Sequence, residues 1–374
     1  MASSISSGTT TRRLPRGAYP LYGSTGQIGY TDRPEFTGPS ILVARVGANA
    51  GSVYRVDGTY GVSDNTLVVR LKPRRDVAFF EEVLRSRNLN NLVYGSGQPL
   101  VTGTMLKRLS VPSLSPPEET AIAEVLADAN ALVASLERLL DKKRDIKQGM
   151  AQLLLTGETR LPGFGSSWTQ IRLGDVGSTY SGLAGKSKAD FGSGSSRFVT
   201  FVDVINNVCV HGDALEPVVV GSSERQNQVV RGDVLFNGSS ETPEEVALGA
   251  VIDFDPNPGT YLNSFCFGYR IARRHLVDPV YLAYMTRSHI GRRLVFSLAQ
   301  GATRYNISKR QFLDLAPAFP PIEEQQAITA VLKDVDTEIA ALKQRLAKAM
   351  AIKHGMAQQL LTGRVRLPDP EPVA

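Results

Sequence analysis

The chain of 374 residues holds only two cysteines, one tryptophan and four histidines, and each scarcity closes off a class of chemistry. Cys209 and Cys266 are too few for a disulfide framework. Neither has a second Cys or a His at metal-ligand spacing, so both are expected to be buried, inert thiols. No stretch approaches the run of about 18 apolar residues that a membrane helix needs. The opening MASSISSGTTTR is polar and lacks the apolar core of a signal peptide, which makes a cytoplasmic protein the expectation. His211, His275, His289 and His354 are scattered, without metal or triad spacing. Gly182 to Ser187 (GLAGKS) ends like a phosphate-binding loop, but such a loop needs Gly five positions before the Gly of GK, and Tyr180 stands there. There is no Gly-rich dinucleotide fingerprint after a strand, no Asn-Pro-Pro-aromatic methyl-transfer motif and no helicase-type loop. The paired acids Glu244 and Glu245 lie in a polar stretch and read as solvated surface. Nothing in the chain implies catalysis.

What is present is an ordinary globular composition, 42% hydrophobic and 21% charged, on a chain long enough for two or three domains with their own cores. The net charge of +6 is unevenly spread. Residues 1 to 108 hold 14 basic and 7 acidic side chains, whereas residues 163 to 314 hold 15 and 14. The excess therefore sits in the first part of the chain and suggests a polyanion as its partner. The second part carries local clusters only: Arg270 with Arg273 and Arg274, Arg292 with Arg293, and Lys309 with Arg310.

An internal repeat organises the chain. GMAQLLLTG at Gly149 to Gly157 returns as GMAQQLLTG at Gly355 to Gly363, and residues 109 to 162 match residues 315 to 368 without a gap at 24 of 54 positions. Within the first copy Ile122, Ala129, Leu136 and Met150 form one column of sevens, and Leu126, Val133, Leu140 and Leu154 a second. The second copy keeps both columns, as Ile328, Val335, Leu342, Ala349 and Met356 beside Leu332, Ile339, Leu346 and Leu360. This is the spacing of one helix face. Pro116-Pro117 and Pro320-Pro321 precede acidic first turns at Glu118-Glu119 and Glu323-Glu324, and Gly157 and Gly363 supply the stops. The spacing predicts a helix from 118 to 155, about 57 Å long at 1.5 Å per residue. A sustained heptad face needs a partner, and the two copies are each other's obvious partners through Ile122, Leu136, Met150, Leu154, Ile328, Leu342, Met356 and Leu360. An ordinary bundle helix would leave unexplained why some 150 residues separate each long helix from its twin.

The segments before the helices are related but divergent. Val62 to Leu71 (VSDNTLVVRL) resembles Leu262 to Ile271 (LNSFCFGYRI), and short β-branched or aromatic runs alternate with Gly, Asn, Asp and Pro, as strands and turns do. Helical candidates at 77 to 89 and 279 to 294 follow the strands, so each segment is expected to be a mixed α/β or α+β domain. Recognition chemistry is concentrated in a few places. Residues 19 to 30 (YPLYGSTGQIGY) read as a Gly-rich loop carrying Tyr22, Ser24 and Gln27, followed by Arg45 and Asn49. The second unit offers Lys186, Lys188, Asn237, Ser239, Arg304 and Tyr305. Arg and Lys can take guanine edges or phosphates, Asn and Gln can pair with adenine, and Tyr can stack.

The pattern resembles the specificity subunits of type I restriction-modification enzymes over essentially the whole chain. The resemblance is carried by the PPIEEQ helix entry at Pro320 to Gln325 with its weaker copy at Pro116 to Thr120, by the GMAQ and LLTG helix ends, and by Trp168 with Arg172-Leu173-Gly174-Asp175-Val176. It implies an α+β architecture of two mixed α/β target recognition domains joined by two long antiparallel amphipathic helices, a coiled coil with pseudo-two-fold symmetry. The domains would be 1-108, 163-314 and the conserved helices at 109-162 and 315-374. It further implies a non-catalytic subunit that binds a bipartite site in double-stranded DNA, two methyltransferase subunits and restriction subunits. S-adenosylmethionine, ATP and magnesium would belong to those partners, and no cofactor to this chain. The first unit has no counterpart of Trp168 to Val176 and starts near the level of Thr179, with Ile5 to Gly8 set against Thr179 to Gly182. It is expected to lack its N-terminal edge, through a start that lies upstream or a truncated copy. The competing expectation is a silent copy that only assembles methyltransferase subunits.

Overall fold

The computed structural model describes residues 1–10, 12–92, 100–298, 301 and 305–367. It contains two compact units: unit 1 is Met1–Leu139 with Leu342–Ala374, and unit 2 is Leu140–Ala341. Each unit thus takes the beginning of one long helix and the end of the other. The first long helix spans Pro116–Thr156 and the second Ile322–Leu360, close to the bounds read from the heptad columns.

Unit 1 is built on an antiparallel sheet in the order Ala2–Ser7, Thr66–Leu71, Ser40–Ala44, Val53–Val56. Its inner strands are buried on both faces, which is why SILVA and TLVV read as continuous apolar runs. The two-residue period divides them: Ile41, Val43, Leu67 and Val69 face the helix Val77–Ser86 through Phe79, Phe80 and Val83, while Leu42 and Val68 face Tyr60 and Val62. Those last two belong to a second sheet in the order Gly26–Thr31, Tyr19–Gly23, Thr59–Val62, Phe36–Thr37. In the same core Ile122 and Leu126, from the start of the first long helix, meet Leu360 and Leu361 from the end of the second. The two helices run antiparallel there. Burying each such side chain is worth about 1.5–3 kcal/mol.

Unit 2 repeats the plan with the order Gly177–Ser181, Cys266–Ile271, Asp233–Asn237, Gly249–Val251. Val234, Phe236, Phe267 and Tyr269 face the helix Pro279–Arg287, and Leu235, Ala250 and Cys266 face Val199 and Leu262 of the smaller sheet. Burial pushes the Cys266 thiol up, so it stays protonated. Leu154 and Leu155 from the end of the first long helix share this core with Ile328 and Leu332 from the start of the second. Lys143 pairs with Glu338 and Lys147 with Asp336 across the same two helices. Along the columns Leu136 is buried, whereas Met150, Leu342 and Met356 are half-buried.

Matching joints hold domain to helix in both units. Asp76 and Asp278 cap the helices Val77–Ser86 and Pro279–Arg287 by accepting from Phe79 N and Tyr281 N. The backbone N–H of Asp278 donates to Gln325 Oε1 at 2.9 Å, and that of Asp76 donates to Glu119 Oε2 at 3.2 Å. Gln325 Nε2 donates to Pro320 O at 2.8 Å; in unit 1 the equivalent carbonyl, Leu114 O, is met by Arg75 Nη1 at 2.9 Å. Arg75 also pairs with Glu119, so an arginine and a glutamate together do what one glutamine does in unit 2. A second matched feature is reciprocal. Arg160, past the end of the first long helix, grips Glu324 with two donors, and Arg366, past the end of the second, grips Glu118 likewise.

Three expectations change. Residues 19 to 30 form a β-hairpin rather than a loop, with Gly26 at φ +97° making its tight turn. The helix expected over 279 to 294 breaks at Ser288, whose hydroxyl caps a second helix, His289–Phe296; Gly291 lets this turn pack, since a Cβ there would lie 1.9 Å from Met285 O. The sheet of unit 1 does carry an edge strand, Ala2–Ser7, in the position of Gly177–Ser181. Gly8 and Gly182 end these strands alike, donating to Thr66 O and Cys266 O where any side chain would strike backbone. What unit 2 has in addition, among the described residues, is the strand Thr169–Gln170 paired with Ala318–Phe319 and the short helix Leu173–Val176.

Candidate nucleic-acid interface

In each unit the end of the central strand meets the turn that precedes its neighbour. Arg45 N donates to Asn65 O in unit 1, and Gly238 N donates to Phe265 O in unit 2, both at 2.9 Å. Arg45 therefore stands in the place of Gly238, and Asn65 in that of Phe265. A returning segment joins this corner through Val46 and Leu100 in unit 1 and through Ser239 with Asn306 and Ser240 with Tyr305 in unit 2. One scaffold thus presents two different sets of side chains, and the residues singled out from the sequence at Arg45, Asn49, Asn237, Ser239 and Tyr305 converge on these corners. Arg304 lies outside the described residues.

The individual side chains differ in what they offer. Asn49 and Gln27 are exposed, and Ser24 is half-buried at the hairpin turn. Arg45 donates through Nη1 to Asp64 O at 3.2 Å while its Nε meets no partner. Tyr22 is half-buried against Tyr54 and Tyr60, with ring centroids 6.3 and 5.8 Å away, so its face is used inside the unit. Asn237 is fully buried; its amide donates to Glu245 O at 2.6 Å and accepts from Leu248 N at 2.7 Å, which makes it the brace of the loop rather than a reader. Lys186 holds Glu224 at 2.6 Å and keeps that carboxyl down at about 2, so the phosphate-loop look-alike is spent on an internal tie. Lys188 is exposed, Ser239 carries a buried hydroxyl without a partner, and Tyr305 is half-buried.

Charge separates the units further. In unit 1 Arg12, Arg13, Arg16 and Arg33 are exposed beside the hairpin, where Leu14 pairs with Tyr30. In unit 2 Arg273, Arg274, Arg293 and Arg310 are exposed too, but three other arginines are architectural. Arg270 pairs with buried Asp233 and lies 5.0 Å over the Tyr180 ring. Arg287 donates to the carbonyls of Gly249, Val204, Ile205 and Asn207, and burial pulls its guanidinium down to about 10. Arg292 likewise caps Val246, Ala247 and Thr286. Sequence reasoning missed Phe265, which is 58% exposed; it was hidden in the strand-like run LNSFCFGYRI, where only Asn263 and Ser264 signal a turn. Asn65 was missed for the same reason.

Comparison with known proteins gives this corner its context. Residues 165–350 match the family described as type I restriction modification DNA specificity domain. The chain is 22% identical over 345 residues to the type I restriction enzyme MjaVIII specificity subunit of Methanocaldococcus jannaschii, covering 87% of this chain and 79% of that one. It is 30% identical over 120 residues to the EcoprrI specificity subunit of Escherichia coli, 32% of this chain and 29% of that protein. Among solved structures, the type I restriction-modification S subunit from M. genitalium superimposes with a TM-score of 0.59 at 16% identity, over 96% of this chain and 93% of that one. The chain belongs to the specificity-subunit family of type I restriction-modification systems. A second type I restriction-modification structure, solved in the context of complex assembly and conformational transition, matches with a TM-score of 0.52 at 16% identity over 96% of each chain. Specificity subunits are non-catalytic, and this one is not an enzyme. No described helix is long and apolar enough to cross a membrane.

Proposed function

We propose that this specificity subunit reads a double-stranded DNA sequence in two short parts, one by each unit, and directs methylation and cleavage of that DNA by partner subunits. The partners are two methyltransferase subunits, held by the conserved helices at 109-162 and 315-374, and restriction subunits. They bring S-adenosylmethionine, ATP and magnesium, and the complex works in the cytoplasm. Residues 1-108 and 163-314 are the two target recognition domains. The reading is carried by one observation: the same scaffold corner occurs in both units with different side chains, Arg45 and Asn65 in one and Gly238 and Phe265 in the other. Phosphate contacts come from the exposed arginines beside the hairpin of unit 1 and from Lys188 in unit 2; Gln27, Arg45 and Asn49, and Ser239 and Tyr305, are the candidates for base edges. Mapping methylated bases across the host genome with and without the gene tests this. A motif of two parts with a fixed gap should vanish on deletion; its persistence, or its absence in both strains, contradicts the proposal.

A further inference from the structure

Phe265 is held rigidly while its ring is in solvent. Its N–H donates to Asn263 Oδ1 at 2.9 Å, its carbonyl accepts from Gly238, and Cys266 N donates to Asn263 O at 3.0 Å. Beside it opens a pocket of about 470 Å³ lined by Phe201, Ser239, Ser240, Glu241, Glu245, Asn263 and Phe265. Its polar wall consists largely of acceptors: Glu241 and Glu245 are exposed carboxylates, and the buried Ser239 hydroxyl has no partner. Ser240 Oγ donates to Glu245 Oε2 at 3.0 Å, which fixes that carboxylate and leaves Glu241 outward. Carboxylates repel phosphate and attract an N–H donor. In the major groove an amino donor lies beside a methyl group only on an A·T pair, where adenine N6 neighbours the thymine C5-methyl; cytosine offers the amino group without the methyl.

We propose that this pocket reads one A·T pair in the part of the target served by unit 2, with Glu241 accepting the one free N–H of adenine N6 and Phe265 lying against the thymine methyl. Phe265 is then a specificity-determining residue. This inference rests on the function proposed above. The test uses the complex assembled with its methyltransferase subunits and duplexes carrying its mapped motif. Replacing each thymine singly by uracil should weaken wild-type binding about fourfold at one position, the value of one buried methyl. Replacing the paired adenine by purine, which lacks N6, should weaken it about 5- to 150-fold. Phe265→Ala should abolish the uracil effect and leave the purine effect, Phe265→Leu should keep most of the uracil effect, and Glu241→Ala should blunt the purine effect alone. A wild-type complex with sequence preference that responds to uracil at no position, or whose uracil response is unchanged in Phe265→Ala, overturns the inference and spares the function. A complex with no sequence preference overturns both.

Discussion

The joint between unit 1 and its helix start can be rebuilt in the chemistry of unit 2. Arg75→Val leaves the Glu119 carboxylate, whose side chain is 0% exposed, with only the Asp76 N–H. Removing one partner of a buried pair costs about 3–5 kcal/mol. At 2–4 °C per kcal/mol for a body of this size, the melting of unit 1 should fall by roughly 6–20 °C. Glu119→Gln alone should cost less, about 1–3 kcal/mol, because Arg75 keeps Leu114 O and reaches water. The double variant places Val and Gln where unit 2 has Val277 and Gln325, the glutamine donating to Leu114 O as Gln325 does to Pro320 O. It should return to within about 1 kcal/mol of wild type, far from additive. Acidity gives a second readout. Burial raises the Glu119 carboxyl above its usual range, so the penalty of a buried charge is complete above that raised value and is relieved as pH falls through it. The defect of Arg75→Val should therefore shrink on acidification, and that of the double variant should not change. Thermal and urea unfolding followed by far-ultraviolet circular dichroism measure both. A double variant as unstable as Arg75→Val would refute the equivalence of the two joints.

Other consequences are separable. Trp168, the single tryptophan, lies against Arg160 at 5.7 Å, so Arg160→Met should lower the midpoint of the tryptophan-detected transition, whereas Arg366→Met should leave that signal in place. Equal effects would show that the two grips do not act each within its own unit. Lys186→Met should let the Glu224 carboxyl rise from about 2 toward ordinary values in an NMR titration. Because the folded value is depressed, the stabilisation it brings is present above about pH 4.5 and is lost as pH falls toward 2 in the wild type. An unshifted resonance would mean the tie is not formed. Substituting Arg12, Arg13 and Arg16 singly by Ala should flatten the logarithmic salt dependence of DNA binding by about 0.9 for each phosphate left without its arginine, with the motif unchanged. An unaltered slope in all three variants would place the phosphates elsewhere.

The long helices were legible because periodicity and caps repeat: Ile122 to Leu154 and Ile328 to Leu360 mark one face twice, and Pro and Gly mark the ends. Strands were legible where both faces are covered, as in Ser40–Ala44. The candidate site was legible only in part. Asn237 and Lys186 have the composition of readers, but burial and an internal ion pair decide their use, and neither is visible in a single sequence. Arg292 reads as part of a basic cluster with Arg293, yet it holds the carbonyls of Ala247 and Val246, which lie about 45 residues away in the chain. Phe265 escaped because its exposure depends on a turn between two strands, set by hydrogen bonds to Asn263.

The claim that each unit reads its own part of the target is tested most directly by methylation mapping in cells that carry Arg45→Ala and Asn49→Ala in unit 1, beside cells that carry Phe265→Ala in unit 2. Each variant should relax base preference in one part of the motif, a different part for each unit, with the gap and the other part retained. Relaxation of both parts by either variant, or of the same part by both, would contradict it.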